Sequence, residues 1–169
     1  MRGLGYHQRP RKLGAQRAKV EGHWPLFTFE QLRGSMVRWK GKIRGFQKWY
    51  VIAVYWDPER TDRPYVILQD PPLRPREGGT FEQIPHLMFY SEHPELSGLC
   101  LFDPEGREWS NKLLIADTTM RWAAEWLMYY ELWHVDGIWR GGGVGPESIA
   151  EARAAAIYRQ TGQLAQDAT

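Results

Sequence analysis

The sequence predicts an α+β domain in which an antiparallel meander of about four strands is covered by helices. The first observation is the segment KWYVIAVY at residues 48–55, whose β-branched and aromatic residues are typical of a strand. The second is a set of aromatic residues at helical spacing, Trp122, Trp126, Tyr129 and Trp133. Apolar residues make up 43% and charged residues 25% of the chain, a composition typical of globular domains.

The first half of the chain is predicted to hold a short helix followed by the strands of the meander. Residues 11–22 favour a helix that Pro25 ends, and residues 29–32 predict one further helical turn. Gly45 and the sequence DPERTD at 57–62 then predict turns between strands. The predicted strands of this half cover residues 36–43, 48–55 and 65–69.

The second half is predicted to contain a fourth strand and two helices. Residues 71–80, rich in Pro, Gly and Arg, predict a loop, and residues 86–90 supply the fourth strand. Two apolar flanks predict a buried helix over residues 112–134. Glycines at 141–143 then break the chain, and a C-terminal helix runs over about residues 147–163.

We divide the chain into a basic N-terminal arm or helix (1–24), a core (25–145), and a C-terminal helix and tail (146–169). The first 25 residues carry six Lys or Arg against one acid, whereas the remainder is mildly acidic. Such an arm predicts either a solvated terminus or contact with an acidic partner or nucleic acid. Nucleic acid is the weaker prediction, because the arm has no sequence-reading motif and the body is not basic.

Several classes of protein are excluded by simple counts. The single cysteine, Cys100, excludes an intrachain disulfide framework and a zinc site built on paired thiolates. With no apolar run near the ~20 residues of a membrane span and no secretory signal, we expect a cytoplasmic protein. Motifs for a serine nucleophile, a phosphate-binding loop or a metal are also missing, so we expect no cofactor and no metal.

Cys100 lies in the sequence GLCLF, between the predicted fourth strand and the long helix. Taken locally, it is either a small buried hydrophobic residue or a nucleophile, because free cysteine is often buried and its thiolate is strongly nucleophilic. Its neighbours Leu99, Leu101 and Phe102 could anchor the loop while the sulfur points outward. The local sequence leaves both interpretations open.

The order of motifs over roughly residues 25–145 resembles that of ubiquitin-conjugating enzymes. In that family the meander leads to a proline-rich bend, a His-Pro pair, a glycine, a cysteine between apolar residues, and a tryptophan about nine residues later. The matching features here are Pro71-Pro72, Ile84-Pro85-His86-Leu87-Met88-Phe89, His93-Pro94, Gly98, Leu99-Cys100-Leu101 and Trp109-Ser110. The resemblance implies a four-stranded antiparallel meander packed against helices.

A closer resemblance is to the stand-alone bacterial ubiquitin-conjugating-like proteins of anti-phage CBASS and related operons. These proteins have Leu-Cys-Leu-aromatic, Glu-Trp-Ser and Ile-Ala-Asp-Thr, followed by a tryptophan-rich helix and a run of glycines. The matching ranges here are 99–102, 108–110, 115–118, 122–133 and 137–143. Because so long a stretch keeps the same order, the match is far more specific than the His-Pro pair alone.

This resemblance implies a transferase of antiviral defence with Cys100 as its catalytic cysteine. Such an enzyme takes the C-terminus of a ubiquitin-like protein or of a cGAS-like nucleotidyltransferase as a thioester. It then passes the acyl group to an amine, usually a lysine of a target protein. Activation of the donor would have to come from another protein or by an unknown route, and we expect no membrane partner.

The residues around the cysteine depart from the eukaryotic pattern at one position. Glu95 follows His93-Pro94, where that family has an asparagine whose amide supports the oxyanion. An ionised carboxylate cannot donate a hydrogen bond, so the donor is expected to be Asn111, a backbone amide near Cys100, or His93. We assign His93 as the second catalytic residue, with a structural role in its turn as the alternative.

Three other residues and two other functions stay open at this point. His86 is predicted to be a half-buried strand residue. His134 and Asp136 either approach the cysteine and lower the pKa of an incoming lysine, or His134 interacts with the dipole at its helix end. The alternative functions are an inactive binding module with a buried Cys100, and a nucleic-acid or partner-binding module that uses the basic arm.

Overall fold

An antiparallel sheet forms the centre of the protein, for which a computed structural model describes residues 12–60, 63–102 and 108–141. The strands are β1 (Phe27–Gln31), β2 (Val37–Arg44), β3 (Trp49–Trp56), β4 (Tyr65–Asp70), β5 (Leu87–Met88) and β6 (Gly98–Leu99), and the helices are α1 (Leu13–His23) and α2 (Thr119–Asp136). Within the described residues the strand order is β1-β2-β3-β4-β6-β5. The first four strands are therefore a meander, and two very short strands extend the sheet beyond β4.

The main core lies between one face of the sheet and α2. Alternate residues of β2, among them Trp39 and Ile43, are buried against Met120 and Leu127 of the helix. The strand β3 is buried at every residue from 52 to 56 because its other face is covered as well. That second cluster consists of Ala53, Tyr55, Tyr65 and Ile67, with Leu32, Met36, Met88 and Leu96 packed against it.

The predicted helical turn at residues 29–32 is wrong, because residues 29–31 belong to β1. Phe29 pairs with Trp39 and Glu30 with Arg38 in an antiparallel register, and Phe27 is buried in the core. Strand pairing with β2 and burial of alternate residues outweigh the weak local helical preference. The fourth strand of the meander is thus β1, whereas the predicted strand at 86–90 is reduced to Leu87–Met88 at the far edge of the sheet.

Helix α1 confirms the helix predicted at residues 11–22, and it docks on the chain just before α2. The buried side chain of Gln16 donates from Nε2 to the carbonyl of Leu113 at 2.8 Å and accepts the N–H of Ile115 at 2.8 Å. The indole N–H of Trp24 donates to the carbonyl of Ala116 at 2.9 Å. These bonds explain why residues 112–118, predicted as helix, form turns instead and α2 begins only at Thr119.

The β2–β3 hairpin is fastened to α2 by a single carboxylate. Glu131 accepts the backbone N–H groups of Phe46, Gln47 and Lys48 at 3.0, 2.8 and 3.3 Å. Hydrogen bonds to an ionised acceptor are roughly twice as strong as neutral ones. The carboxylate therefore fixes the hairpin against the C-terminal half of the helix.

The domain boundaries after residues 24 and 145 stay predictions. Residues 1–11 of the basic arm and the C-terminal helix at 147–163 lie outside the described residues. Among the helices that the structure describes, none has the length and apolar character needed to cross a membrane.

Candidate active site

Cys100, the protein's only cysteine, directly follows β6 and is partly exposed. Its backbone N–H donates to the carbonyl of His86 at 2.9 Å. Its sulfur lies 3.9 Å from the carbonyl oxygen of Phe102, a weak contact. The backbone of the residue is therefore held by the neighbouring turn, while the residue as a whole stays partly exposed.

The strand before Cys100 is fixed by close packing around Gly98. A Cβ at this position would lie 2.5 Å from the ring of Tyr65 and 2.7 Å from Cε of Met88, so only glycine fits. The hydroxyl of Tyr65 donates to the carbonyl of Leu96 at 2.7 Å, and the buried Ser97 accepts the N–H of Tyr90 through Oγ at 3.0 Å. The sheet thus determines where the chain emerges at Cys100.

The residues after Cys100 are anchored on α2. The ring of Phe102 contacts the ring of Trp122 at a centroid distance of 5.8 Å, and the guanidinium of Arg63 lies 5.4 Å from the Phe102 ring. Trp109, the tryptophan of the predicted motif, is buried in the main core. Apolar anchors on both sides of Cys100 therefore match the expectation that its neighbours hold the loop.

His93 and Glu95 form a pair of their own in the turn before β6. Nδ1 of His93 lies 3.2 Å from Oε1 of Glu95, and its ring contacts that of Tyr90 at 5.4 Å. Both side chains are exposed, and in the described part of the chain His93 makes no hydrogen bond to the thiol of Cys100. The structure thus places His93 near Cys100 in the chain without joining the two side chains.

His86 lies closer to Cys100 than the sequence indicates. It is half-buried, as predicted, but it belongs to the turn before β5 rather than to a strand. Its carbonyl binds the Cys100 amide, and its ring stacks on Trp139 with a centroid distance of 5.3 Å. The sequence gives no sign of this contact, because a histidine does not reveal its backbone angles and Trp139 lies far along the chain.

The end of α2 carries the other two candidates from the sequence. Nε2 of His134 lies 3.1 Å from the carbonyl oxygen of Arg74. Burial lowers the pKa of His134, and the charges of Lys48 and Arg76 act in the same direction, so its surroundings favour the neutral ring over the cation that the helix dipole would stabilise. The hydrogen bond to Arg74 opposes the shift without reversing it.

Asp136 is engaged with the residues that follow α2. Its carboxylate binds the guanidinium of Arg140 and accepts the N–H of Ile138 at 2.9 Å, and these contacts, Arg140 first, lower the pKa of Asp136 to about 2. Neither Asp136 nor His134 has a hydrogen bond, ion pair or ring contact with Cys100 in the described residues. An effect of either on an incoming lysine stays a prediction.

Two further features bear on the chemistry. Asn111 is half-buried, and its side-chain amide makes no hydrogen bond with the described residues, so it is available as a donor. No group of three or more His, Cys, Asp or Glu side chains in the described ranges is arranged to hold a metal ion. Acyl transfer by a cysteine would also need a hydrogen-bond donor for the oxyanion, and Asn111 keeps such a donor unused among the described residues.

A comparison with models of protein families matches residues 16–146 to the family described as Type II CBASS E2 protein. The matched range runs from the buried Gln16 of α1 through the whole sheet and Cys100 to the residues after α2. No curated protein matches the chain. The match covers most of the sequence and confirms the predicted resemblance to ubiquitin-conjugating-like proteins of CBASS operons, with their α+β fold. The chain therefore belongs to the Type II CBASS E2 protein family, a family of E2-like proteins of anti-phage defence.

Proposed function

We propose that the protein is a cysteine acyl carrier whose nucleophile is Cys100. It takes the C-terminal carboxyl of a ubiquitin-like protein or of a cGAS-like nucleotidyltransferase as a thioester and transfers it to an amine. The observation that supports this most is the position of Cys100, whose backbone is hydrogen-bonded and which is partly exposed. A partly exposed cysteine fits an acyl carrier better than an inactive module with a buried cysteine.

The reaction has two steps, both centred on the sulfur. In the first, the Cys100 thiolate attacks the activated carboxyl carbon of the donor, the activating group leaves, and a thioester forms. In the second, an amine attacks the thioester carbonyl, the Cys100 thiolate leaves, and the amine loses a proton as the amide forms. Sulfur suits both steps, because the thiolate is a strong nucleophile and also a good leaving group.

The backbone amide of Cys100 is a poor candidate for the oxyanion donor. Its N–H already donates to the carbonyl of His86 at 2.9 Å, so it would have to break that bond to serve the reaction. The amide of Asn111 has no such competing partner among the described residues. We therefore favour Asn111 over the Cys100 backbone for this role, which in other enzymes is worth about 10²–10³-fold in rate.

His93 is the proposed second catalytic residue, and Glu95 gives it a defined orientation. If Nδ1 of His93 carries the proton, it donates to the carboxylate of Glu95, and Nε2 is left as an acceptor. A ring in this state can take the proton that the attacking amine loses. Glu95, which replaces the usual asparagine, would thus act through His93 rather than on the oxyanion.

The partners follow from this chemistry and from the family. The family associates the chain with CBASS components. The donor must present a flexible C-terminus and be activated by a separate activating enzyme or another route, and the acceptor is a target lysine. The partial exposure of Cys100 is compatible with a protein tail as substrate.

The covalent intermediate tests this function. When the protein is incubated with the nucleotidyltransferase and activating enzyme of its own operon, intact-mass analysis should find an adduct that a reducing thiol removes. Cys100→Ser should give an adduct that resists thiol, since an oxygen ester undergoes thiolysis slowly, and Cys100→Ala should give none. His93→Gln should slow the transfer to lysine more than the loading of Cys100. An adduct that survives in Cys100→Ala would reject the proposal.

A further inference from the structure

His86 has a backbone conformation that residues other than glycine seldom adopt. Its φ is +52°, and it is the one non-glycine residue with a positive φ in the described ranges. In this left-handed region the Cβ lies too close to the following carbonyl oxygen. Such residues persist only where the surrounding structure holds them, and they concentrate at functional sites. Something at this turn therefore holds His86 in place.

The carbonyl of His86 accepts two hydrogen bonds. One comes from the N–H of Cys100 at 2.9 Å and the other from the indole N–H of Trp126 at 3.0 Å. The first fixes the backbone that bears the thiol, and the second ties the same carbonyl to α2. Because the direction of a carbonyl follows from the backbone angles of its residue, a relaxed His86 would turn it away from Cys100.

The imidazole of His86 is held by an aromatic stack. It lies on the indole of Trp139 with a centroid distance of 5.3 Å and an interplanar angle of 24°. Trp139 belongs to the return segment, residues 137–141 after α2, and its ring also contacts Trp126 at 5.5 Å and Tyr129 at 5.8 Å. Trp126 and Tyr129 both lie well inside α2, so the return segment runs back along the helix to reach His86.

The return segment is fixed on both sides of Trp139. Before it, the carboxylate of Asp136 binds the guanidinium of Arg140 and the N–H of Ile138. After it, a Cβ at Gly141 would lie 2.7 Å from Nε1 of Trp139 and 2.8 Å from Cδ2 of Tyr129, so the chain passes against both rings. Trp139 is therefore a fixed surface on which the His86 ring rests.

We propose that the stack of His86 on Trp139 is a positioning device for Cys100. The stack holds His86 in its left-handed conformation, and the His86 carbonyl then holds the backbone of Cys100. The role rests on the proposed function, because the exact place of the thiol matters only if it carries an acyl group. A misplacement of about 1 Å between reacting atoms can cost about 10²-fold in rate. His86 acts through Cys100 and is thus a positioning residue.

Hydrogen exchange at the Cys100 amide tests whether the stack holds the backbone of Cys100, and it requires no acyl donor. In Trp139→Ala the amide should exchange up to about tenfold faster, because the energy of one aromatic pair no longer holds His86. Trp139→Phe keeps an aromatic face and should stay close to the wild type. Phe29→Ala is the control. It removes a ring of β1 that packs on Trp39 of β2, and it should leave the Cys100 amide protected. Wild-type exchange in Trp139→Ala would overturn the proposal.

The effect of the stack on acyl transfer is tested with a short peptide whose C-terminal glycine is joined to a small thiol as a thioester. Cys100 thiolate attacks its carbonyl and the small thiol leaves; added lysine then attacks acyl-Cys100, whose thiolate leaves as the amine gives its proton to water. Trp139→Ala and His86→Ala should slow this discharge by up to about 10²-fold. Alkylation of Cys100 by iodoacetamide should not slow in these variants. This small reagent requires only that the thiol is accessible, and it does not depend on how the thiol is oriented. His86→Asn should retain more discharge than His86→Ala, since asparagine tolerates positive φ.

Two results would contradict the positioning role. One is discharge at the wild-type rate in both Trp139→Ala and His86→Ala. The other is an equal slowing of discharge and alkylation, which would show that the substitutions lower the reactivity or accessibility of the thiol in general and not its positioning. A wild-type protein whose acyl-Cys100 discharges no faster than an acylated free cysteine would reject the proposed function instead, and amide exchange would still decide whether the stack holds Cys100.

Discussion

At the residue scale, Cys100 combines a hydrogen-bonded backbone with partial exposure of the residue. Its N–H is bonded to His86, and its sulfur has a long contact with the carbonyl of Phe102. Acylation of the sulfur therefore does not require the backbone bond to break.

His134 has surroundings that oppose protonation. It packs edge-on against the rings of Tyr130 and Trp133 at 4.5 and 5.0 Å, and the cationic side chains of Lys48 and Arg76 face it. Burial is the larger cause of its lowered pKa. The folded protein therefore binds a proton at His134 less readily than the unfolded chain does.

This difference predicts a loss of stability in mild acid. The pKa of His134 in the folded protein lies below its unfolded value of 6.5. Its contribution to the free energy of unfolding is therefore fully present above pH 6.5 and is lost as the pH falls toward the folded pKa. His134→Gln can still donate to the Arg74 carbonyl but cannot titrate. Urea unfolding at pH 7, 6 and 5 should show the wild type losing stability relative to His134→Gln. A constant difference between the two across this range would contradict the assignment.

The sequence predicts Cys100 as the nucleophile but does not indicate the residues that hold its backbone. Cys100 stands out because it is unique and lies in a motif of fixed order, which the family match supports. The roles of His86 and Trp139 depend on a positive φ and on a ring contact between residues distant in the chain. A positive φ has no sequence signal when the residue is not glycine, and a contact between distant rings has none either. Only the structure shows these two properties.

At the element scale, α1 acts as a brace for the segment that leads into α2. Gln16 satisfies one carbonyl and one N–H of residues 113–115, and Lys19 pairs with Asp117 at 3.8 Å. The turns of this segment satisfy some of its own backbone groups, but the carbonyl of Leu113 and the N–H of Ile115 bond to Gln16. Its stability therefore depends on a side chain that lies about a hundred residues earlier in the sequence.

Gln16→Ala should be strongly destabilising for a single change. It leaves the carbonyl of Leu113 and the N–H of Ile115 without their partner at a buried site, and each such group costs about 1–3 kcal/mol. We expect a loss of at least about 2 kcal/mol in the free energy of unfolding, measured by urea with tryptophan fluorescence. Glu21→Ala, which removes an exposed ion pair on the same helix, should cost about 0.5 kcal/mol and is the control. Equal effects of the two variants would contradict the bracing role.

The long elements were predictable from periodicity and the short ones were not. Strands β2, β3 and β4 and the body of α2 appear close to their predicted positions because their apolar patterns are long. β1 was missed since five residues carry too weak a pattern, and its identity comes from pairing with β2. The turns at 112–118 replace predicted helix because α1 supplies the backbone partners.

At the scale of the whole molecule, the candidate site draws on three separate parts of the chain. β6 delivers Cys100, the turn before β5 supplies the His86 carbonyl, and the return segment after α2 supplies Trp139. The sheet and α2 hold these parts together through a shared core. The family match, which covers residues 16–146, includes all three of these parts.

The central claim is that Cys100 carries the acyl group, and conjugate formation by Cys100→Ala tests it most directly. The reaction would contain the donor, the activating enzyme and the target of the same operon, with covalent donor–target product measured over time. The wild type should form the product, and Cys100→Ala should form none while unfolding in urea at nearly the wild-type midpoint, because loss of one partly exposed sulfur leaves little cavity. Product formation by Cys100→Ala at the wild-type rate would contradict the claim, since the chain has no second thiol.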